Sequence, residues 1–122
     1  MNKMKRILII EDNEDNMYMM KFILEQNNLN VIMAKTGLEG FEAVIKEKPD
    51  LILTDIQLPD INGLEVTKMI RQSELGELIP IIAISSYAMT GDKQKAMEAG
   101  CTAYIEKPVD PETIMDKIIR YL

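Results

Sequence analysis

Ile7-Leu8-Ile9-Ile10-Glu11-Asp12 is a run of four apolar residues that stops on two acids. The pattern returns at Leu51-Ile52-Leu53-Thr54-Asp55 and at Ile81-Ile82-Ala83-Ile84-Ser85, and more weakly at Ala103-Tyr104-Ile105-Glu106-Lys107-Pro108. Runs this short and rich in isoleucine, separated by helical stretches, read as parallel strands buried on both faces. An open parallel sheet binds its ligands in the crevice beyond the carboxyl ends of the strands. The acids, the Ser85 hydroxyl and the Lys107 ammonium are therefore expected to converge on one site.

Working outward, the chain reads as strand then helix five times. Strands are expected near 5–10, 31–34, 51–54, 81–84 and 102–105, with helices near 14–27, 37–47, 63–73, 89–99 and 110–121. Strict alternation implies right-handed crossovers, hence an α/β fold with a five-stranded parallel sheet doubly wound by helices into three layers. The punctuation agrees. Pro49-Asp50 introduces the third strand, Leu58-Pro59 and Asn62-Gly63 bracket the loop after it, Pro80 opens the fourth strand and Gly100 closes the fourth helix. Pro111 suits the first turn of the last helix. One domain over 1–122 is expected, since a chain of 122 residues buries about two-thirds of its unfolded surface.

Composition excludes several function classes. With a net charge of −6 and no cluster of basic residues, neither nucleic acid nor an anionic membrane is an expected partner. No apolar stretch approaches a membrane span and the N-terminus lacks a signal-peptide core, so a cytoplasmic location is expected. Cys101 is the single cysteine and histidine is absent. No internal disulfide, histidine-based triad or histidine zinc site is available, and Cys101 reads as a small buried apolar residue. Any phosphoryl donor must come from outside the chain.

Carboxylates at neighbouring strand ends repel one another unless a cation sits among them. Magnesium suits this set, because it takes one or two carboxylates, a carbonyl, waters and a phosphate oxygen. Asp12 and Asp55 are expected as direct ligands, the Gln57 carbonyl as a third, and Glu11 through water. The same cation would keep Asp55 available as a nucleophile, with Lys107 contacting the phosphate and Ser85 donating a hydrogen bond.

The first helix offers a core stripe of Asn16, Met19, Met20, Ile23 and Leu24 at 100° per residue, with Tyr18 and Phe22 nearly opposite. The two aromatics read either as packing on a neighbouring helix or, preferably, as a partner-docking patch. Of the ten methionines, Met19, Met20, Met33, Met69, Met97 and Met115 are expected to fill the core.

Glu11-Asp12-Asn13, Asp55 with Leu58-Pro59 and Gly63, Ser85-Ser86 and Lys107-Pro108 together resemble the receiver domains of two-component response regulators, over essentially the whole chain. The resemblance implies a flavodoxin-like sheet of strand order 2-1-3-4-5, the order of the family's chemotaxis regulators. It further implies Asp55 as phosphoacceptor, Glu11 and Asp12 as magnesium acids, and Ser85 and Tyr104 as the switch pair. Lys107 becomes the phosphate-contacting lysine, with a cis peptide to Pro108. Ser86 stands where the family usually has alanine or glycine, which alters access to the phosphoryl group. Gln57 and Tyr87 occupy the two positions that govern hydrolysis in the family, and a bulky Tyr87 is expected to shield a long-lived acyl phosphate.

The implied function is acceptance of a phosphoryl group from a histidine kinase or histidine phosphotransfer protein, followed by contact with a downstream protein target. The module catalyses only its own phosphorylation and dephosphorylation. The chain ends at Arg120-Tyr121-Leu122, where the last helix should finish, so a stand-alone receiver is expected; one cut from a hybrid kinase would read the same. A magnesium-dependent phosphatase with Asp55 as nucleophile competes, but such enzymes want a second aspartate where Gln57 stands. A flavin or nucleotide binder competes less well, because Glu11-Asp12-Asn13-Glu14-Asp15 would repel a phosphate after the first strand.

Overall fold

Five strands pair in parallel in the order β2-β1-β3-β4-β5. They are β1 (Arg6–Ile10), β2 (Asn30–Ala34), β3 (Leu51–Asp55), β4 (Ile81–Ser85) and β5 (Ala103–Glu106). Five helices connect and follow them: α1 (Glu14–Gln26), α2 (Gly37–Glu47), α3 (Gly63–Gln72), α4 (Asp92–Ala99) and α5 (Ile114–Ile119). These elements come from a computed structural model that describes residues 4–73, 78–86 and 91–122.

Side chains alternate across a strand, so one strand feeds two cores. Ile7 and Ile9, Leu51 and Leu53, Ile82 and Ile84, and Ile105 pack with Met17, Met20, Ile23 and Leu24 of α1 and with Ile114, Met115 and Ile118 of α5. On the other face Leu8, Ile10, Ile52, Ile81 and Ala83 pack with Val44 of α2, Val66 and Ile70 of α3 and Ala96 of α4. Tyr104 packs on this second face, as does Cys101, the buried apolar residue expected. Burial on both faces explains why β1, β3 and β4 read as unbroken apolar runs.

Side-chain caps set the helix starts. Asn13 accepts from the Asn16 N–H, Thr36 from Glu39 and Asn62 from Glu65, each satisfying a donor that has no partner inside its helix. Gly100 ends α4 with φ 111°, where a side chain is strained and a Cβ would meet Arg71 Cγ at 2.8 Å. Among the described residues, no helix is long and apolar enough to cross a membrane.

Several expectations are corrected. The last helix starts at Ile114 rather than at 110, and Pro111 lies in the turn before it. Asp110 Oδ1 accepts the Glu112 N–H at 2.9 Å, a side-chain turn that competes with helix for this backbone. The fourth helix starts at Asp92; 89 and 90 lie outside the described residues. On α1, Met17 enters the core, whereas Asn16 is only partly buried and lines the cleft. Met33 and Met97 are exposed, Met33 on β2 at the edge of the sheet.

Candidate functional site

The sheet register brings the polar strand ends together. Ile10 pairs with Thr54, Asp55 with Ile84, and Ser85 with Glu106, so the residues following β1, β3 and β5 emerge at one edge. Glu11 is held at its backbone by donating to the Ala34 carbonyl at 3.0 Å, and Lys107 by donating to the Ser85 carbonyl at 2.7 Å. The Lys107-Pro108 peptide is cis.

Three carboxylates meet there. Glu11, Asp12 and Asp55 each offer an oxygen, and these lie within 4.8 Å of one another. Glu11 and Asp55 are 5% and 7% exposed, while Asp12 faces solvent. Lys107 Nζ lies 2.8 Å from Glu11 Oε1 and 3.0 Å from Asp55 Oδ2, spanning the two buried acids. The surrounding cleft holds about 380 Å³ and includes Asn16, Gln57 and Ser86 in its wall.

The charges respond to this crowding. Burial raises the Glu11 carboxyl above its ordinary value of 4.5, opposed by the Lys107 hydrogen bond and reinforced by Asp55. For Lys107 burial pulls the other way, but hydrogen bonds to Glu11 and Asp55 and the charges of both hold the ammonium above its ordinary 10.5. A lysine that stays charged among acids is a fixed positive point at the sheet edge.

The all-oxygen set of clustered carboxylates, one of them open to solvent, fits a hard cation such as magnesium, and Gln57 lines the same cleft. Gln57 is tied in through its N–H, which donates to Asp55 Oδ1 at 3.2 Å.

The remaining predicted residues fall as follows. Ser85 ends β4 and is 3% exposed, whereas its neighbour Ser86 forms part of the cleft wall. Tyr104 is half-buried on β5, paired with Ala83. Tyr18 and Phe22 are 72% and 55% exposed, apart from the core rather than in it. Tyr87 lies outside the described residues. The sequence reading missed Asp60, whose carboxylate accepts the Gly37 and Leu38 N–H groups at 2.8 and 2.9 Å. An acid just after Pro59 was the available signal, but nothing local tells that it reaches α2.

Comparison with known proteins agrees with this arrangement. The family of response regulator receiver domains matches residues 7–119. The chain is 41% identical over 118 residues to the polar-differentiation response regulator DivK of Brucella ovis, covering 97% of this chain and 96% of that one. Among solved structures it resembles chemotaxis response regulator CheY4 of Vibrio cholerae, with TM-score 0.92, 26% identity, and 98% and 100% of the two chains covered. It also resembles the receiver domain of sensor histidine kinase PA1611 from Pseudomonas aeruginosa, with TM-score 0.90, 28% identity and 98% of each chain covered. That structure has magnesium coordinated in its active site cleft. A profile match over nearly the whole chain, on a site whose acids and lysine meet at one sheet edge, means that the chain belongs to the response regulator receiver domain family.

Proposed function

We propose that this receiver takes a phosphoryl group on Asp55 from a histidine kinase or histidine phosphotransfer protein and signals by contacting a downstream protein. The observation that carries this reading is the Lys107 ammonium bridging Glu11 and Asp55 inside the three-carboxylate cluster.

Asp55 is the nucleophile. An oxygen lone pair of its carboxylate forms the new P–O bond while the P–N bond of the donor phosphohistidine breaks, its electron pair returning to the imidazole. Asp12, Asp55 and the Gln57 carbonyl would hold a magnesium ion directly and Glu11 through water, and the ion would supply the positive charge that lets the Asp55 carboxylate approach an anionic donor. Lys107 then shares its hydrogen bonds with the phosphoryl oxygens, as a positioned point charge. Little else is required, because phosphoryl transfer depends chiefly on positioning and charge stabilisation.

Ser85 and Tyr104 form the switch. Aspartyl phosphate adds charge and acceptor oxygens at the end of β3, drawing in the Ser85 hydroxyl and vacating space for Tyr104 on the adjacent strand. The face made by α4, β5 and α5 changes as a result. Ser86 sets access to the phosphoryl group from the cleft wall, and the exposed Tyr18 and Phe22 dock the phosphodonor protein.

Intact mass after incubation with acetyl phosphate, with and without magnesium, tests the reading on wild type and Asp55→Ala. One magnesium-dependent phosphoryl adduct, absent from the variant, is expected. An adduct that survives in Asp55→Ala would place the acceptor elsewhere and overturn the assignment.

A further inference from the structure

We infer that Asp60 is a positioning residue for the acidic site: it fastens the loop after Asp55 to the N-terminus of α2. The inference rests on the receiver reading. The two carboxylate oxygens act separately, Oδ1 accepting the Gly37 N–H at 2.8 Å and Oδ2 the Leu38 N–H at 2.9 Å. Both donors belong to the first turn of α2, where N–H groups have no partner within the helix.

A cap from within the helix is already present. Thr36 Oγ1 accepts the Glu39 N–H at 3.1 Å, as an N-cap residue should. Asp60 comes instead from 23 and 22 residues away, so its bonds join two elements. Packing follows the same path, since a Cβ on Gly37 would meet Ile61 Cγ1 at 2.5 Å and the Ile61 carbonyl oxygen at 3.0 Å. The outer limb of the loop therefore lies directly on the start of α2.

The inner limb is fixed separately. The Gly63 N–H donates to the Ile56 carbonyl at 2.7 Å, and a Cβ on Gly63 would fall 2.2 Å from the Asp55 carbonyl oxygen. Between these two anchors hangs Gln57, whose N–H reaches Asp55 Oδ1 at 3.2 Å. Releasing the outer anchor loosens the segment that presents the Gln57 carbonyl and orients the Asp55 carboxylate. A site whose donors are no longer held in place binds its ion more weakly.

Calorimetric titration with magnesium chloride, together with thermal unfolding, tests this on wild type, Asp60→Ala, Asp60→Asn and Thr36→Ala. Thr36→Ala removes a cap from the same helix end but leaves the loop attached. Both alanine variants are expected to unfold at lower temperature, while only Asp60→Ala weakens magnesium binding, by about tenfold, the low end of the loss when an outer partner of a metal site is removed. Asp60→Asn, which keeps one acceptor oxygen, should fall between and decides the matter if Asp60→Ala does not fold. Wild-type affinity in both Asp60 variants, or equal weakening in Thr36→Ala, overturns the inference. A wild-type chain that bound no magnesium would overturn the receiver reading itself, and this inference with it.

Discussion

Lys107 Nζ lies 3.0 Å from Asp55 Oδ2 although 52 residues separate them in the chain. The same ammonium meets Glu11 at 2.8 Å, so one cation balances two buried carboxylates from different strands. Replacing it leaves those acids facing each other. Lys107→Met should lower stability by on the order of 2 kcal/mol in magnesium-free buffer, the buried-pair range reduced for the opening of the cleft to solvent. Urea denaturation with and without magnesium checks this. Added magnesium should restore more stability to the variant than to wild type, and equal restoration would contradict the balancing role.

Acidification should act with opposite signs at two carboxylates. The Leu38 N–H, then that of Gly37, holds the Asp60 carboxyl below its ordinary 3.8. A depressed folded value stabilises above 3.8, and that stability is lost as pH falls through the folded value. Glu11 is raised by burial, so the folded state binds its proton more readily than the unfolded chain. Its contribution therefore falls as pH rises above 4.5 toward the folded value. Unfolding free energy followed against pH without magnesium should show a shallower acid limb in Asp60→Asn and a weaker decline above 4.5 in Glu11→Gln than in wild type.

Gly63 is where the site tolerates no side chain. The 2.2 Å approach of a Cβ to the Asp55 carbonyl oxygen is to backbone that cannot swing aside. Gly63→Ala should cost about 1–3 kcal/mol and slow adduct formation with acetyl phosphate, because the displaced atoms belong to Asp55, the proposed nucleophile. Wild-type kinetics in a folded Gly63→Ala protein would show that the loop accommodates the methyl group without moving Asp55.

Tyr18 and Phe22 are separable from the fold. Both are mostly exposed on α1, so Tyr18→Ala with Phe22→Ala should change stability by no more than about 0.5 kcal/mol. Transfer from a histidine-phosphorylated protein donor should slow at least tenfold, while labelling by acetyl phosphate stays unchanged. Equal loss with both donors would locate the defect in the site rather than in docking.

Much of this was legible in one dimension. Ile7-Leu8-Ile9-Ile10, Leu51-Ile52-Leu53-Thr54 and Ile81-Ile82-Ala83-Ile84 lie where apolar runs of that length predict strands, because a parallel strand covered on both faces has no polar positions. The meeting of Glu11, Asp12, Asp55 and Lys107 followed from topology, since parallel strands deliver all their C-terminal ends to one edge. Local competition was less visible. The Asp110 side chain turns the backbone where Pro111 suggested a helix start, and on α1 Asn16 lines the cleft while its neighbour Met17 takes the core position.

The sequence by itself determined the elements, their alternation and the acids and lysine at the strand ends, because hydrophobic period and chain punctuation are local properties. Tertiary structure alone decided which of two buried carboxylates the lysine serves, namely both, and that Asp60 ends on α2. Hydrogen bonds between residues 22 to 96 positions apart depend on how layers stack and loops lie, and no residue's neighbours in the chain specify that distance.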